Sequence, residues 1–321
     1  MNQTFVTQFI LLGFQNLDSY RIVVFLVFLV LYIVTVSGNL LIISLVSMNQ
    51  SQSLSSPMYF FLSHLSTCDL LLTTVIVPLM LNIILKVKVS VPILGCFAQL
   101  YLFGALATTE CLLLAVMSYD RYVAICNPLR YSLIINLHRC FLMVFGSWFL
   151  SFSVMLITIL QIYRLDFCGP NIIDHFFCDL APLLQLSCSD TTFVEIQNLF
   201  TGLPATFAPL IYISATYTAI FMAILRIPTT IGRQKAFYTC SSHLTVVSIY
   251  YGTLVVAYLF LSKDHPLDVH KVLSLLYTVL TPMLNPIIYS LRNKEIKIAF
   301  WKLVTVEQRA SLKLDASKES I

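Results

Sequence analysis

Charged residues are scarce in this 321-residue sequence. They make up 11% of it, less than half of the ~25% that is typical of a soluble domain, while hydrophobic residues reach 58%. The sequence also lacks a phosphate-binding glycine loop, a nucleophile elbow and a histidine–glutamate zinc motif, so nothing in it indicates an enzyme. A chain this apolar is expected to be solvated by a lipid bilayer, because lipid accepts any number of apolar residues.

Seven stretches of the sequence are apolar over the ~20 residues that a membrane-spanning helix needs. We therefore expect an all-α membrane protein, a bundle of seven transmembrane helices within residues 23–290. An odd number of spans puts the two termini on opposite sides of the membrane. The seven stretches are Val23–Ser47, Met58–Leu81, Leu94–Ala124, Cys140–Tyr163, Phe193–Leu225, Ala236–Leu261 and Val272–Ser290.

Positive charge is divided unevenly between the two sides. Thirteen of the 19 lysine and arginine residues lie on the side of the C-terminus, and cytosolic loops carry the excess of such residues. We expect an extracellular N-terminus (residues 1–22) and a cytoplasmic tail (residues 291–321) in a plasma-membrane protein. Met1–Tyr20 lacks the features of a cleaved signal peptide, so the first span is expected to act as its own signal. Asn2 opens an extracellular Asn-Gln-Thr sequon and is the expected glycosylation site.

The segment after the seventh span is amphipathic. Within residues 293–303, Ile296, Ala299, Phe300 and Leu303 recur at helical spacing among three lysines. This pattern predicts a short helix on the inner leaflet; the alternative is a disordered basic tail. The inner loops are short, so a cytosolic partner is expected to bind the helix ends themselves.

Four of the nine cysteines lie on the predicted outer side, namely Cys96, Cys168, Cys178 and Cys188. An oxidising compartment favours two disulfides among them. Composition alone leaves three pairings open.

Ionisable residues within the spans are few, and each is a functional hypothesis because a charge in lipid is costly. Asp69 in the second span and Glu110 in the third can face each other, with Asn39 and Asn285 as amide neighbours. Oxygen ligands of this kind suit a hard cation, which predicts a sodium site. The alternative is a protonated carboxyl that hydrogen-bonds across the helices, and the residues leave both interpretations open.

Two further patterns indicate a switch at the inner side. Asp120-Arg121-Tyr122 ends the third span, where the acid can restrain a guanidinium that has five donors for a partner. The seventh span contains Pro282 and Pro286, which remove backbone hydrogen bonds from the helix and kink it. Asn285 and Tyr289 lie one helical turn apart on one face, which favours a segment that moves on activation over a static kink.

Four motifs are spread over nearly the whole chain: PMYFFLSHLSTCDL at 57–70, MSYDRYVAICNPLRY at 117–131, KAFYTCSSHL at 235–244 and PMLNPIIYSLRN at 282–293. Together with Gly38-Asn39 in the first span, they closely resemble the signatures of vertebrate olfactory receptors. That family belongs to the rhodopsin-like G-protein-coupled receptors. The resemblance implies the rhodopsin-like fold, small volatile odorants as ligands, and coupling to a stimulatory G protein of the olfactory type that raises cAMP.

The resemblance also implies roles for individual residues. It pairs Cys96 with Cys178, which leaves Cys168 to pair with Cys188. It makes Arg121 the G-protein contact. The residues that it assigns to coupling and switching are Asp120, Arg121, Tyr122, Tyr217, His243, Asn285, Pro286 and Tyr289.

The family's odorant pocket maps onto the outer halves of the third, fifth, sixth and seventh spans. None of the matching residues is charged, and a charged ligand would be unpaired there in a low dielectric. We expect a small, neutral, mostly apolar ligand with one hydrogen-bonding group. The matching residues are Phe103, Gly104, Ala107, Thr108, Thr201, Gly202, Ala205, Tyr251, Leu254, Tyr258 and Thr278.

The sequence departs from the family's motifs at a few positions. Ser118 replaces the usual alanine, Thr216 the usual serine before Tyr217, and Tyr238 the usual serine. We expect these changes to affect the tuning of the receptor and not its membership of the family. A rhodopsin-like receptor of another family is the alternative function. A small-solute transporter is a weaker one, since the two halves of the chain show no internal repeat. No cofactor is expected apart from the sodium ion.

Overall fold

The computed structural model describes residues 6–15, 17–48, 56–168, 170–259, 267–293 and 295–301. In these residues, seven membrane-length helical segments form the molecule, and short strands and turns connect them at the two ends. The elements are β1 (Gln8–Leu11), a 3-10 turn (Asp18–Tyr20), α1 (Arg21–Met48), α2 (Pro57–Lys86), β2 (Val89–Pro92), α3 (Ile93–Cys126), a 3-10 turn (Pro128–Arg130), α4 (Tyr131–Ile134), α5 (Leu137–Ile162), β3 (Ile172–Ile173), α6 (Leu180–Leu184), α7 (Thr192–Leu225), α8 (Thr230–Leu259), α9 (Leu267–Leu275), a π-helical turn (Leu276–Leu280), α10 (Thr281–Arg292) and a helix at 295–301.

The predicted fold class, a seven-helix membrane bundle, is confirmed. Six of the long helices within the described residues are apolar enough as well as long enough to cross a membrane. The exception, α8, has 30 residues, but Arg233, Lys235 and many serine, threonine and tyrosine residues make its inner half more polar. The described helix 295–301 lies within the predicted amphipathic segment. The tail from residue 302 onwards and Asn2 lie outside the described residues.

The seventh helix is continuous from α9 to α10 but widens at the π-helical turn just before Pro282. Proline has no N–H to donate to the preceding turn. Just before it, both the backbone N–H and the hydroxyl of Thr281 donate to the carbonyl of Leu276, the hydroxyl at 3.0 Å. The predicted irregularity is therefore a local widening, of the kind often found at functional sites.

Helix α1 packs closely against α10. A Cβ atom at Gly38 would lie 3.1 Å from the ring of Pro286, so a larger residue here would push the two helices slightly apart. The next residue, Asn39, donates its amide to the carbonyl of Pro282 at 3.2 Å. Gly38 therefore permits the close approach of α1 to the helix that carries Asn285 and Tyr289, and Asn39 holds the two helices together by a hydrogen bond.

A three-stranded sheet covers part of the outer end of the bundle. β1 pairs antiparallel with β2, from Gln8 opposite Pro92 to Leu11 opposite Val89. It also pairs in parallel with β3, Ile10 opposite Ile172 and Leu11 opposite Ile173. We call residues 6–15, 89–92 and 170–188 the outer cap. Both disulfides of the structure, Cys96–Cys178 and Cys168–Cys188, hold the cap in place, in the pairing that the resemblance implied.

Candidate ligand-binding and switch sites

A buried polar cluster lies at the centre of the bundle. The side-chain amide of Asn285 on α10 donates to Asp69 Oδ2 on α2 at 2.9 Å and to Glu110 Oε1 on α3 at 3.4 Å. All three side chains are almost fully buried. One amide thus joins three helices, and the carboxyl groups that the sequence suggested could face each other do converge. Asn39 does not join them, because its amide donates to the carbonyls of Thr35 and Pro282.

Several oxygen atoms of this region lack a hydrogen-bond partner within the described residues. They are Asp69 Oδ1, Asn39 Oδ1 and the hydroxyl of Tyr289, all buried. The carboxyl groups of Asp69 and Glu110 also lie within hydrogen-bonding contact of each other, so they can either share a proton or offer their oxygens to a hard cation. The described residues contain no group of three or more histidine, cysteine, aspartate or glutamate side chains that could hold a metal ion.

At the inner end of α3, the guanidinium of Arg121 is paired with the carboxylate of its neighbour Asp120. Arg121 is only 8% exposed. The other oxygen of Asp120 accepts a hydrogen bond of 2.6 Å from the hydroxyl of Tyr131 on α4. Burial and the neighbouring Asp120 raise the pKa of Tyr131, so this hydroxyl remains protonated and continues to donate at neutral pH. Sequence reasoning assigned Tyr131 no role, although it ends the motif that contains Asp120.

The inner halves of α7 and α8 are joined through Tyr217 and His243. The Tyr217 hydroxyl lies 2.7 Å from His243 Nδ1, and His243 Nε2 lies 3.1 Å from the carbonyl of Leu114 on α3. His243 is fully buried. The pair therefore links α3, α7 and α8 where the resemblance placed a switch. Tyr122 packs nearby against Ile220, Ile224 and Cys240.

Two residues that depart from the family's motifs are in contact with each other. The hydroxyl groups of Ser118 on α3 and Thr216 on α7 form a hydrogen bond. Both residues are buried. The usual alanine at position 118 could not make this bond, so it is a feature of this chain.

The outer half of α3 contributes two of the expected ligand-contacting residues to one aromatic cluster. The ring centroid of Phe103 lies 5.1 Å from that of Phe177 in the outer cap and 6.1 Å from that of Tyr277. Ala107 packs in the same cluster, and Thr108 is half-buried. Sequence reasoning did not include Phe177 or Tyr277, because neither lies in a recognised motif.

Other expected pocket residues have packing roles. A Cβ atom at Gly104 would collide with Met155 of α5, so this glycine serves the contact between helices. Thr278 is fully buried and donates its hydroxyl to the carbonyl of Ser274 at 2.7 Å. Thr201 likewise donates to the carbonyl of Gln197 within α7.

The remaining positions lie on two helices. Gly202 and Ala205 on α7 are half-buried. On α8, Tyr251 is buried and Leu254 is half-buried, and both belong to the central hydrophobic cluster. The side chain of Tyr258 lies outside the described residues.

A buried lysine anchors the outer cap to the seventh helix. Lys271 Nζ donates to Asp174 Oδ1 at 2.6 Å and to the carbonyl of Gly13 at 2.8 Å. Lys271 is 1% exposed. It therefore joins the N-terminal segment, the long outer loop and α9. No sequence pattern indicates this anchor, since the partners of Lys271 are a loop aspartate and a backbone carbonyl.

His175 lies beside this anchor in the outer cap. Its ring packs 4.7 Å from the ring of Phe176 and 4.5 Å from that of Phe177. Burial, reinforced by the positive charge of Lys271, lowers the pKa of His175 to about 3. The imidazole is therefore neutral at physiological pH, and the cap presents no second positive charge next to Lys271.

Comparison with known proteins agrees with this arrangement. The family model described as "Olfactory receptor" matches residues 28–307. The chain is 46% identical over 314 residues to human olfactory receptor 10A7, which covers 98% of each chain. It is 46% identical to human olfactory receptor 11L1 over 94% of each chain, and 47% identical to mouse olfactory receptor 5G26 over 93% of each chain. The chain belongs to the olfactory receptor family.

Proposed function

We propose that this protein binds small, neutral, mostly apolar volatile molecules between the outer halves of α3, α7, α8 and the seventh helix. Binding then activates a stimulatory G protein and raises cAMP. As a member of the olfactory receptor family, the chain is a multi-pass membrane receptor and not an enzyme. The observation that carries the coupling proposal is the buried guanidinium of Arg121, restrained by Asp120 at the inner end of α3.

The ligand class is supported by the side chains of the outer half. Phe103, Phe177 and Tyr277 form an aromatic wall, and the expected pocket residues carry no charge. The buried cation nearest to this region, Lys271, already has Asp174 as its partner. An ionised ligand would have to displace that pair or remain unpaired, which is costly in a low dielectric. A neutral ligand has no such cost.

The switch is supported by the bonds that hold the inner ends together. Asp120 restrains Arg121 and is itself held by Tyr131, while Tyr217 and His243 join α7 to α8. A ligand can shift this arrangement only if it binds the open form more tightly than the closed one. The wide turn before Pro282 lies between the outer pocket and the polar cluster, and it is the part of the seventh helix that we propose to move.

We also propose the plasma membrane as the location, with the N-terminus outside. Both disulfides lie at the end of the bundle that carries the outer cap, and disulfides persist in an oxidising compartment. Most lysine and arginine residues lie at the opposite end, on the side of the C-terminus. Cytosolic loops carry such an excess.

A sodium ion is the proposed ligand of the Asp69–Glu110 cluster in the resting state. The orphaned Asp69 Oδ1 and the second carboxyl support it. When bound there, the ion would supply positive charge to two carboxylates that otherwise have one amide between them. The alternative, a protonated carboxyl, predicts the same response to sodium in the wild type and in Asp69→Asn.

A screen of volatile compounds tests the proposed function. Cells that express the receptor are exposed to alcohols, aldehydes, ketones, esters and the corresponding carboxylic acids and amines, with cAMP as the readout. We expect neutral members of the panel to raise cAMP and the ionised ones to be inactive; cells without the receptor are the control. Sustained uptake of a compound without any second messenger would instead favour a carrier.

A further inference from the structure

A groove separates α7 from α8 on the lipid-facing side of the bundle. Its volume is about 580 Å³, within the ~300–1,000 Å³ range of small-molecule sites. Its walls are mostly apolar, with Leu210 and Ile213 on α7 and Val247 and Val255 on α8. Leu244, Val255 and Val256 are each about 40% exposed, so the groove faces the surroundings of the helix bundle, which in this protein means lipid.

The described part of the outer face offers a ligand little room. Phe176 and Phe177 of the outer cap are fully buried, as are Phe9 and Leu11 of β1. The cap is fixed by the Cys96–Cys178 disulfide and by the Lys271 anchor. Where the outer end is described, a molecule from the aqueous side has to displace these contacts, whereas one dissolved in the bilayer meets an open groove.

Tyr251 forms the partition between this groove and the bundle interior. Its side chain lines the groove and yet is only 4% exposed, because it packs in the central hydrophobic cluster with Cys111 and Tyr250. Its hydroxyl is buried, and its neighbour is the thiol of Cys111, a weak hydrogen-bonding group. One turn further out, Leu254 belongs to the same cluster. Tyr251 therefore stands between the groove and the interior of the bundle.

We propose that the groove between α7 and α8 is a membrane-side port, through which neutral apolar ligands dissolved in the bilayer reach the interior past Tyr251. The inference rests on the proposed function for the identity of the ligands. The buried hydroxyl of Tyr251 has only the thiol of Cys111 beside it among the described residues, and a thiol is a weak hydrogen-bonding group. The hydroxyl therefore favours molecules with one hydrogen-bonding oxygen, because such a molecule offers it a stronger partner than a lipid acyl chain does. Ionised molecules are excluded, since the groove walls present no charge.

Gly252 provides a means of closing the port without disturbing the fold. A Cβ atom at Gly252 would have no heavy atom within 4 Å, and the same holds for Gly146 on α5. Both glycines lie within helices and are exposed, so a larger side chain also improves helix propensity at either position. Gly252→Phe fills the groove, Gly252→Ala leaves it open, and Gly146→Phe is the control for a phenylalanine elsewhere on the lipid-facing surface.

The probe is a diazirine-bearing octanol, a neutral photoreactive alcohol, applied to the full-length receptor in lipid nanodiscs. Irradiation after increasing times and mass spectrometry of the peptides give the rate at which Leu254 and Phe103 become labelled, since neither residue lines the groove. In Gly252→Phe we expect this rate to fall about tenfold, which corresponds to about 1.4 kcal/mol in the barrier. Gly252→Ala and Gly146→Phe should be labelled at the rate of the wild type.

Equal labelling rates in the wild type and in Gly252→Phe would overturn the port, and so would an equal decrease in Gly146→Phe. The labelling does not depend on signalling. A panel screen without any cAMP response, combined with labelling that depends on residue 252, would therefore contradict the proposed function and leave the port standing.

Discussion

The hydroxyl of Ser118 on α3 donates a hydrogen bond to the hydroxyl of Thr216 on α7. The direction follows from Thr216, whose own proton is given to the carbonyl of Ile213 at 2.8 Å. Ser118 lies one helical turn from Arg121 on α3, and Thr216 immediately precedes Tyr217 on α7. The bond therefore joins the helix that carries the proposed G-protein contact to a helix of the proposed switch.

Ser118→Ala should raise the resting cAMP level. We expect the bond to stabilise the closed arrangement of α3 and α7. A hydrogen bond contributes about 0.5–1.5 kcal/mol net, so its loss should shift the equilibrium between closed and open forms by a factor of a few to about ten. The measurement is basal cAMP at matched surface expression. Ser214→Ala is the control, because the Ser214 hydroxyl bonds only to Leu210 within its own helix. Equal basal levels in the two variants would contradict the role of the bond.

Lys271→Met should destabilise the outer cap. The change leaves Asp174 and the carbonyl of Gly13 without their donor, and an unpaired polar group of this kind costs about 1–3 kcal/mol. We expect a lower thermal unfolding temperature of the purified receptor. Lys88→Met, at an exposed position in the outer part of the chain, is the matched control and should unfold like the wild type. A Lys271→Met receptor as stable as the control would show that the anchor is not needed.

Sodium should lower agonist potency in the wild type and not in Asp69→Asn. The ion stabilises the resting cluster only if two carboxylates are present, and asparagine removes one charge while keeping a hydrogen-bonding side chain. Dose–response curves in sodium and in an organic cation at equal ionic strength provide the measurement. The same salt effect in both proteins would leave only the protonated carboxyl as an explanation.

His175 should make the receptor less stable in acid. Burial holds its pKa at about 3, below the ordinary value of 6.5, so below pH 6.5 the unfolded chain binds a proton that the folded chain does not. Stability is therefore lost as the pH falls from about 6.5 towards 3, by about 2 kcal/mol at pH 5. We expect His175→Phe to lose less stability between pH 7.5 and pH 5 than the wild type. His138→Phe, at an exposed position, should lose as much stability as the wild type. If His175→Phe also loses as much stability as the wild type, the assignment to His175 is wrong.

The seven spans could be read from the sequence because each needs only a long apolar run, and lipid imposes that requirement on every helix separately. The convergence of Asp69, Glu110 and Asn285 could also be anticipated, since so few polar groups lie at membrane depth that they must pair with one another. The structure adds the geometry, in which one amide donates to both carboxyl groups.

The outer cap could not be predicted in the same way. β1 has four residues, and its partners are 80 and more than 160 residues away, so no local period marks it as a strand. The contacts of Lys271 could not be predicted for the same reason, because its acceptors are a loop carboxylate and a backbone carbonyl that only the fold brings together. Tyr131 stood inside a recognised motif, but its contact with Asp120 depends on the path of the chain after α3.

The most direct test of the proposed mechanism is the cAMP response of Arg121→Ala, measured at the surface level of the wild type with the strongest agonist from the volatile panel. The mutation removes the group that we propose to contact the G protein and leaves the outer half of the bundle unchanged. We expect no cAMP response, while the agonist still raises the thermal stability of the purified variant as it does in the wild type. A normal cAMP response from Arg121→Ala would contradict the proposed coupling mechanism.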